Sequence, residues 1–317
     1  MNFVFLMDPL STLIMEKDTS FILMLCAHRR GHAVYFVGDG GIVLKDGKLF
    51  FQALEVVPRI DDKMPFLEGK QKELTDEVID CLFIRSDPPF DSRYLLNTWL
   101  LDRLPGHIPV INKPSGIRTV NEKIWATKFT DIVPRTLIAQ GRDDLLGFLA
   151  KEKDIVVKPT DGFGGSCVFR VRLNDTNAKV ILETMTQRWS KDVIAQQYLA
   201  ESEKGDKRIL LLNGEILGAV LRVHAPDDHR NNFFAGGKPF PAEIDEQDRK
   251  IVQILKPELQ KLELYFVGID IIGGRLIEVN VTSPTGIQEM NRLYHQSLEE
   301  QVIDFAEELV RWKREMT

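Results

Sequence analysis

Residues 265–281 read YFVGIDIIGGRLIEVNV. Two apolar runs flank Gly273-Gly274, a pair suited to the positive φ angles of a tight turn, so the segment is predicted as a hairpin of two buried strands. Buried strands do not ordinarily carry charge, yet these hold Asp270, Glu278 and Asn280. With a three-residue loop, Gly273 to Arg275, Ile272 pairs with Leu276 and Asp270 with Glu278. Directly opposed residues project to one face, and Asn280, two positions on, shares it. Two carboxylates so close in an apolar ribbon do not both stay ionised without a cation. Hard oxygen donors suit Mg²⁺, which takes one or two carboxylates together with substrate phosphates. The three are therefore candidate metal ligands. The alternatives are an exposed acidic edge, or a two-residue loop that sends the carboxylates to opposite faces.

Further motifs precede this ribbon. The strand IVVK ends at Lys158-Pro159 and is followed by Asp161-Gly162-Phe163-Gly164-Gly165-Ser166. Glycines let backbone N–H groups approach phosphate oxygens while an ammonium neutralises them. The spacing is neither a Walker A motif nor a dinucleotide fingerprint, and an ordinary turn reads equally well. Asp206-Lys207-Arg208 and Arg222 lie on either side of the turn Asn213-Gly214. They could face solvent, but beside a metal site Arg222 is a candidate to stabilise a transferring phosphoryl group. Residues 223–239 show little periodicity and read as a long functional loop, with the Phe233-Phe234 pair to pack on closure and Gly236-Gly237 to hinge it.

In the first third, strand and helix signals alternate: strands over Phe3–Met7, His32–Val37, Asp80–Arg85 and Pro109–Asn112, helices over Ser20–Arg30 and about 92–104, and a hairpin over 42–57. This predicts an open sheet with packed helices. Residues 121–150 read as mainly helical, broken near Pro134. Helices are predicted at 245–262 and 297–312. Asp18 or Ser20 could be a helix N-cap. Arg85 and Asp87 end a strand, where open α/β sheets bind ligands, and could read a charged substrate or simply pair with each other.

The 317 residues suggest two domains. A net charge of −6 argues against nucleic-acid and anionic-membrane partners. The three cysteines, Cys26, Cys81 and Cys167, are sparse and form no C-x-x-C pair, which fits a reducing compartment without zinc. The N-terminus lacks a signal-peptide pattern and no apolar run reaches the length of a membrane span, so the expected location is the cytoplasm.

Together these segments resemble the ATP-grasp superfamily, and within it the prokaryotic glutathione synthetase family. The resemblance is carried by MDP (7–9), DTSF (18–21), RSDPPFD (85–91), INKPSGIR (111–118), NEK (121–123), KPTDGFGG (158–165), QQYL (196–199), GDKR (205–208), RNN with AGG (230–237) and FVGIDIIGGRLIEVNVTSPTG (266–286), in family order across nearly the whole chain. It implies an α/β fold, α+β in the C-terminal half: a Rossmann-like pre-ATP-grasp domain over 1–120, then an ATP-grasp domain over 121–317 with subdomains 121–199 and 200–317.

The resemblance also implies roles. Lys123 and Lys158 would contact ATP phosphates under the loop of Gly162, Gly164 and Gly165. Gln196, Gln197, Tyr198 and Leu199 would hold adenine, and Asp206 would help at the ribose. Asp270, Glu278 and Asn280 would bind Mg²⁺, with Mn²⁺ as a substitute. Arg208 and Arg222 would stabilise the acyl phosphate and the tetrahedral intermediate. Arg230 and Asn232 belong to a lid over 224–237 that would close on the nucleotide. Asp18, Ser20, Arg85, Asp87, Ser283, Thr285 and Gly286 would lie near the peptide. The implied reaction joins γ-glutamylcysteine to glycine, in a homotetramer. Gln288, Ser86 and His224 depart from residues common in the family. Another carboxylate–amine ligase of the superfamily, or a regulator that has lost catalysis, are the rivals; the latter should lack some of Lys123, Lys158, Arg222, Asp270, Glu278 and Asn280, and all six are present.

Overall fold

The computed structural model describes residues 1–61, 63–225, 230–233 and 236–316. Among these, the strands form three sheets. The first begins with β1 (Asn2–Leu6), followed by α1 (Thr19–Arg29), β2 (Ala33–Val37), β3 (Ile42–Lys45), β4 (Lys48–Pro58), β5 (Phe66–Thr75), β6 (Cys81–Ile84), α2 (Ser92–Leu101), β7 (Val110–Ile111) and α3 (Pro114–Thr119). Its order is β3-β4-β2-β1-β6-β7, with β5 on β4. The centre, β2-β1-β6-β7, is parallel. Such strands are buried on both faces and need uninterrupted apolar sequence, which Phe3-Val4-Phe5-Leu6 and Cys81-Leu82-Phe83-Ile84 supply at 0–2 % exposure. Strand β5 was not anticipated. Its sequence, FLEGKQKELT, is largely exposed, and it is ordered by pairing along β4.

The second sheet contains β8 (Thr136–Ala139), β9 (Asp154–Pro159), β10 (Phe169–Arg172) and β11 (Val193–Gln197), in the antiparallel order β10-β9-β11-β8. Helices α4 (Arg142–Glu152) and α5 (Ala178–Met185) pack on it through Leu145, Leu149 and Leu182. The helical expectation for 121–150 is thus corrected. Only a 3₁₀ turn, Trp125–Lys128, and α4 are helical there. Thr136–Ala139 is drawn into extended conformation by pairing with β11.

The third sheet, order β14-β13-β12-β15-β16, is built from β12 (Asp206–Leu212), β13 (Glu215–Val223), β14 (Lys238–Pro241), β15 (Phe266–Ile272) and β16 (Arg275–Asn280). Alternation sorts its residues cleanly. Ile209, Leu211, Ala219, Val267, Ile269 and Ile271 share a core with α6 (Glu246–Lys261). Leu210, Val220 and Phe266 turn the other way, toward α7 (Ile287–Tyr294) and α8 (Leu298–Glu315). Arg208, Arg222 and Asp270 stand on this second face by the same count.

Candidate active site

The hairpin that opened the analysis has a two-residue turn, not the expected three-residue loop. Gly273 and Gly274 have φ of 54° and 69°, the positive angles a tight hairpin turn requires, and Ile272 pairs with Arg275. Carried on, this register would set Asp270 against Ile277. A bulge intervenes: Ile271 pairs with Leu276, yet Asp270 pairs with Glu278. The extra residue lets Ile277 and Glu278 both line the cleft while Leu276 and Val279 remain in the core.

From this pair the register builds a cross-strand row. Asp270 is opposite Arg208 on β12, and Asp206 is opposite Arg222 on β13. Arg208 donates to both oxygens of Asp270, at 2.5 and 2.8 Å. Arg222 donates to both oxygens of Asp206, at 2.6 and 2.8 Å, and its Nη2 lies 3.0 Å from Asp270. Asn280 Nδ2 is 3.4 Å from Asp270 Oδ2. Burial alone would push Asp270 up, but Arg208 and Arg222 outweigh it and hold the carboxyl well below the usual range. Asp206 goes the other way: burial raises it, offset only in part by Arg222. Arg222 keeps its charge despite burial because Asp206 and Asp270 flank it.

Two lysines reach the same place from the second sheet's side. Lys123 Nζ sits 2.9 Å from Glu278 Oε1 and 2.5 Å from the Gly162 carbonyl. Lys158, 6 % exposed, is 3.2 Å from Gln196 Oε1. Burial lowers it to about 8, with Glu278 opposing and Lys123 adding to the shift. Here the cation needed beside Asp270 and Glu278 is protein: two guanidiniums and a lysine. Two carboxylates and an amide oxygen nevertheless form a donor set that fits Mg²⁺, provided Lys123 gives up Glu278. Among the described residues no group of three or more His, Cys, Asp or Glu side chains could hold a metal alone, so phosphate oxygens would have to complete such a site.

A cleft between the second and third sheets is lined by Lys158, Gly162, Gly165, Tyr198, Leu199 and Asp206, among others, and runs to Asp270 and Glu278. Gln197 lies on its wall. Gln196 is fixed by Thr136, 2.9 Å away. The Tyr198 ring lies under the Arg170 guanidinium at 3.5 Å. Gly164 and Gly165 have φ of 61° and 73°. A Cβ on Gly165 would meet Asn232 Nδ2 at 2.2 Å, so the loop packs directly against Asn232. Arg230 Nη1 is 3.4 Å from the Gly165 carbonyl, and Phe233 lies 5.6 Å from the Arg222 guanidinium. Residues 226–229, 234 and 235, including Phe234 of the expected pair, lie outside the described residues.

An adjoining cavity shares Arg222, Asp270 and Glu278 and adds Asp87, Ser283 and Thr285. Beyond it a third is lined by Asp18, Ser20 and Arg85. Asp18 caps α1, accepting from Phe21 N at 2.9 Å. Ser20 accepts from Arg85 Nε at 3.0 Å. Arg85 and Asp87 do not form the pair considered as an alternative: Asp87 bonds Ser283 instead. Gly286 caps α7 with φ 127°. Glu122 was not singled out. Half-buried, it accepts from Val281 N, Thr282 N and Thr282 Oγ1 at 2.9, 3.2 and 2.9 Å, tying the segment after β16 to the one bearing Lys123. Its only signal was its place next to Lys123.

Two antiparallel sheets clasping a cleft, behind a parallel-centred sheet, define the ATP-grasp class. Solved structures agree: D-cycloserine synthetase DcsG superposes with a TM-score of 0.66 at 17 % identity, covering 97 % of this chain and 99 % of that one. The ATP-grasp ligase PsnB complexed with minimal precursor gives 0.65 at 16 %, covering 97 % and 98 %. Residues 1–118 match the prokaryotic glutathione synthetase N-terminal domain, and residues 122–295 its ATP-grasp domain. Glutathione synthetases of Gloeobacter violaceus and Escherichia coli K12 are 40 % and 36 % identical, over 98 % and 95 % of this chain and 98 % and 96 % of theirs. The chain belongs to the prokaryotic glutathione synthetase family, a family of ATP-using ligases acting on small molecules.

Proposed function

We propose that this chain makes glutathione. The cysteinyl carboxylate of γ-glutamylcysteine attacks the γ-phosphorus of ATP, ADP leaves, and an acyl phosphate forms. The glycine amine then attacks the acyl carbon, phosphate leaves, and the amine's proton is lost to solvent or buffer. The observation that carries this reading is the Asp270–Glu278 pair, flanked by Arg208 and Arg222, at the junction of the cleft and the adjoining cavity. Asp270, Glu278 and Asn280 would hold Mg²⁺, with Mn²⁺ as a substitute; the ion neutralises phosphate charge when bound. Lys123 and Lys158 would take phosphate oxygens, and the backbone of Gly162, Gly164 and Gly165 would cover them. Gln196 to Leu199 would hold the adenine, with Asp206 bordering the ribose while fixing Arg222. Arg208 and Arg222 would stabilise charge on the transferring group and the tetrahedral centre. Arg230 and Asn232, at the near end of a lid over 224–237, would exclude water from the acyl phosphate. Asp18, Ser20, Arg85, Asp87, Ser283, Thr285 and Gly286 would surround the peptide.

Domains over 1–120 and 121–317, the latter divided at 199/200, a cytoplasmic location and a homotetramer belong to this reading; family resemblance supports them. Among the described residues, no helix is long and apolar enough to cross a membrane. The test is phosphate release from Mg-ATP and γ-glutamylcysteine with glycine, alanine, serine or β-alanine as acceptor. Glycine should be preferred. Equal turnover with β-alanine would overturn the acceptor assignment.

A further inference from the structure

The two lysines at the cleft are held in different ways. Lys123 is paired with a carboxylate, Glu278. Lys158 is more deeply buried, at 6 % exposure, and a charge so placed is normally paired as well. Among the described residues it forms no ion pair. Its Nζ rests instead 3.2 Å from Oε1 of Gln196, which is also 6 % exposed. Ile194 on β11 stands opposite Lys158 on β9, so Gln196, two places on, shares the face of Lys158.

The direction of the Gln196 amide is dictated from its far side. Thr136, directly opposite Gln196 on β8, has its Oγ1 2.9 Å from Gln196 Nε2. A threonine hydroxyl has one proton, and here it is donated to the Pro134 carbonyl at 2.9 Å. Thr136 Oγ1 therefore accepts from the amide, so the NH₂ end of Gln196 faces Thr136 and its oxygen faces Lys158. The ammonium can only donate, and finds an acceptor. Along Lys158, Gln196, Thr136 and Pro134 every proton points the same way, an arrangement in which each bond polarises the next. A neutral amide fixes the ammonium in place without cancelling its charge. A carboxylate there would form an ion pair that an incoming phosphate had to break, as it must between Lys123 and Glu278.

We propose that Gln196 is a positioning residue: its side chain, oriented by Thr136, holds the Lys158 ammonium ready for a phosphate oxygen. This rests on the reading of the cleft as an ATP site with Lys158 on phosphate. It gives the Gln196 side chain to the phosphates, acting through Lys158, and leaves the base to the backbone and to the residues that follow.

The test is competition binding of Mg-ATP and of adenosine, which lacks phosphate, to the wild type, Gln196→Met, Thr136→Val, Lys158→Met and the Gln196→Met/Lys158→Met pair. Gln196→Met should weaken Mg-ATP by about 10- to 100-fold, the range for a hydrogen bond to a charged group, and leave adenosine unchanged, which also shows that the variant is folded. In the Lys158→Met background it should cost nothing further, because the group it positions is gone. Thr136→Val, near-isosteric and with no side chain among those lining the cleft, should give a smaller loss confined to Mg-ATP, and carries the comparison should Gln196→Met fail to fold. Equal losses for adenosine and Mg-ATP in these variants would mean that the amide serves the base, and would overturn the proposal. Fully additive losses in the double variant overturn it too. A Lys158→Met protein that binds Mg-ATP like the wild type would instead refute the underlying placement of Lys158 on phosphate.

Discussion

Nζ of Lys123 lies 2.9 Å from Oε1 of Glu278. A lysine thus stands on the carboxylate that the proposed chemistry assigns to a metal ion. Loading the site requires that lysine to exchange a carboxylate for a phosphate oxygen, so metal and nucleotide should bind cooperatively, each favouring the same movement.

Glu278→Gln should abolish turnover with the fold intact. Its side chain is 19 % exposed, and the amide is isosteric. The expected loss in kcat is at least about 10²-fold, with thermal unfolding still a single cooperative transition. Near-normal phosphate release would remove Glu278 from the metal site. Asp270→Asn is a less clean test: it strips the shared counter-charge from Arg208 and Arg222, and breaking a buried pair costs about 3–5 kcal/mol.

Asp206→Asn separates two roles. Both Asp206 oxygens are engaged by Arg222. If orienting that guanidinium is its main task, kcat falls by about 10²-fold, the scale of a small misplacement, while KM for ATP barely moves. A selective rise in KM for ATP would instead make Asp206 a ribose contact.

Lys158 gives a signed pH dependence. Its folded-state value is lowered from 10.5 to about 8, so between those values the unfolded chain binds the extra proton. Without nucleotide, this lysine therefore makes stability rise with pH across about 8 to 10.5 and contributes no slope below it. Phosphate binding restores the charged form, so ATP binding at pH 8 should take up protons. Calorimetry in buffers of different ionisation enthalpy measures this, and Lys158→Met should abolish the uptake. No proton uptake in the wild type would contradict contact between Lys158 and phosphate.

Gly165→Ala should uncouple the reaction. The added methyl would collide with Asn232 Nδ2 at 2.2 Å, on a residue whose φ of 73° already disfavours any side chain. On the proposed function, holding residues 230–233 off the loop admits water to the acyl phosphate. Phosphate released per glutathione formed should rise above one. A ratio that stays at one with unaltered kcat would show that this packing is dispensable.

The parts that follow a simple period were readable beforehand. The apolar runs around Val4 and Leu82 announce strands of an open sheet, whereas the common face of Arg208, Arg222 and Asp270 emerges only from the register of β12, β13 and β15. The Asp270–Glu278 pairing was anticipated through an incorrect loop length. Nothing about Ile277 marks it as a bulge, because the irregularity arises from fitting a tight glycine turn to a sheet already in register. Glu122 was missed for another reason: it matters through a segment distant in the chain, Val281–Thr282. Likewise Thr136–Ala139 looks helical alone and becomes a strand only once β11 is beside it.

The bulge at Ile277 makes spacing a stricter requirement than composition. Such a ribbon can exchange one greasy side chain for another. A residue gained or lost between Asp270 and Glu278 would turn one carboxylate toward α6 and leave the other alone at the mouth of the cleft, so a grafted or shuffled version must copy the length of this segment before its letters.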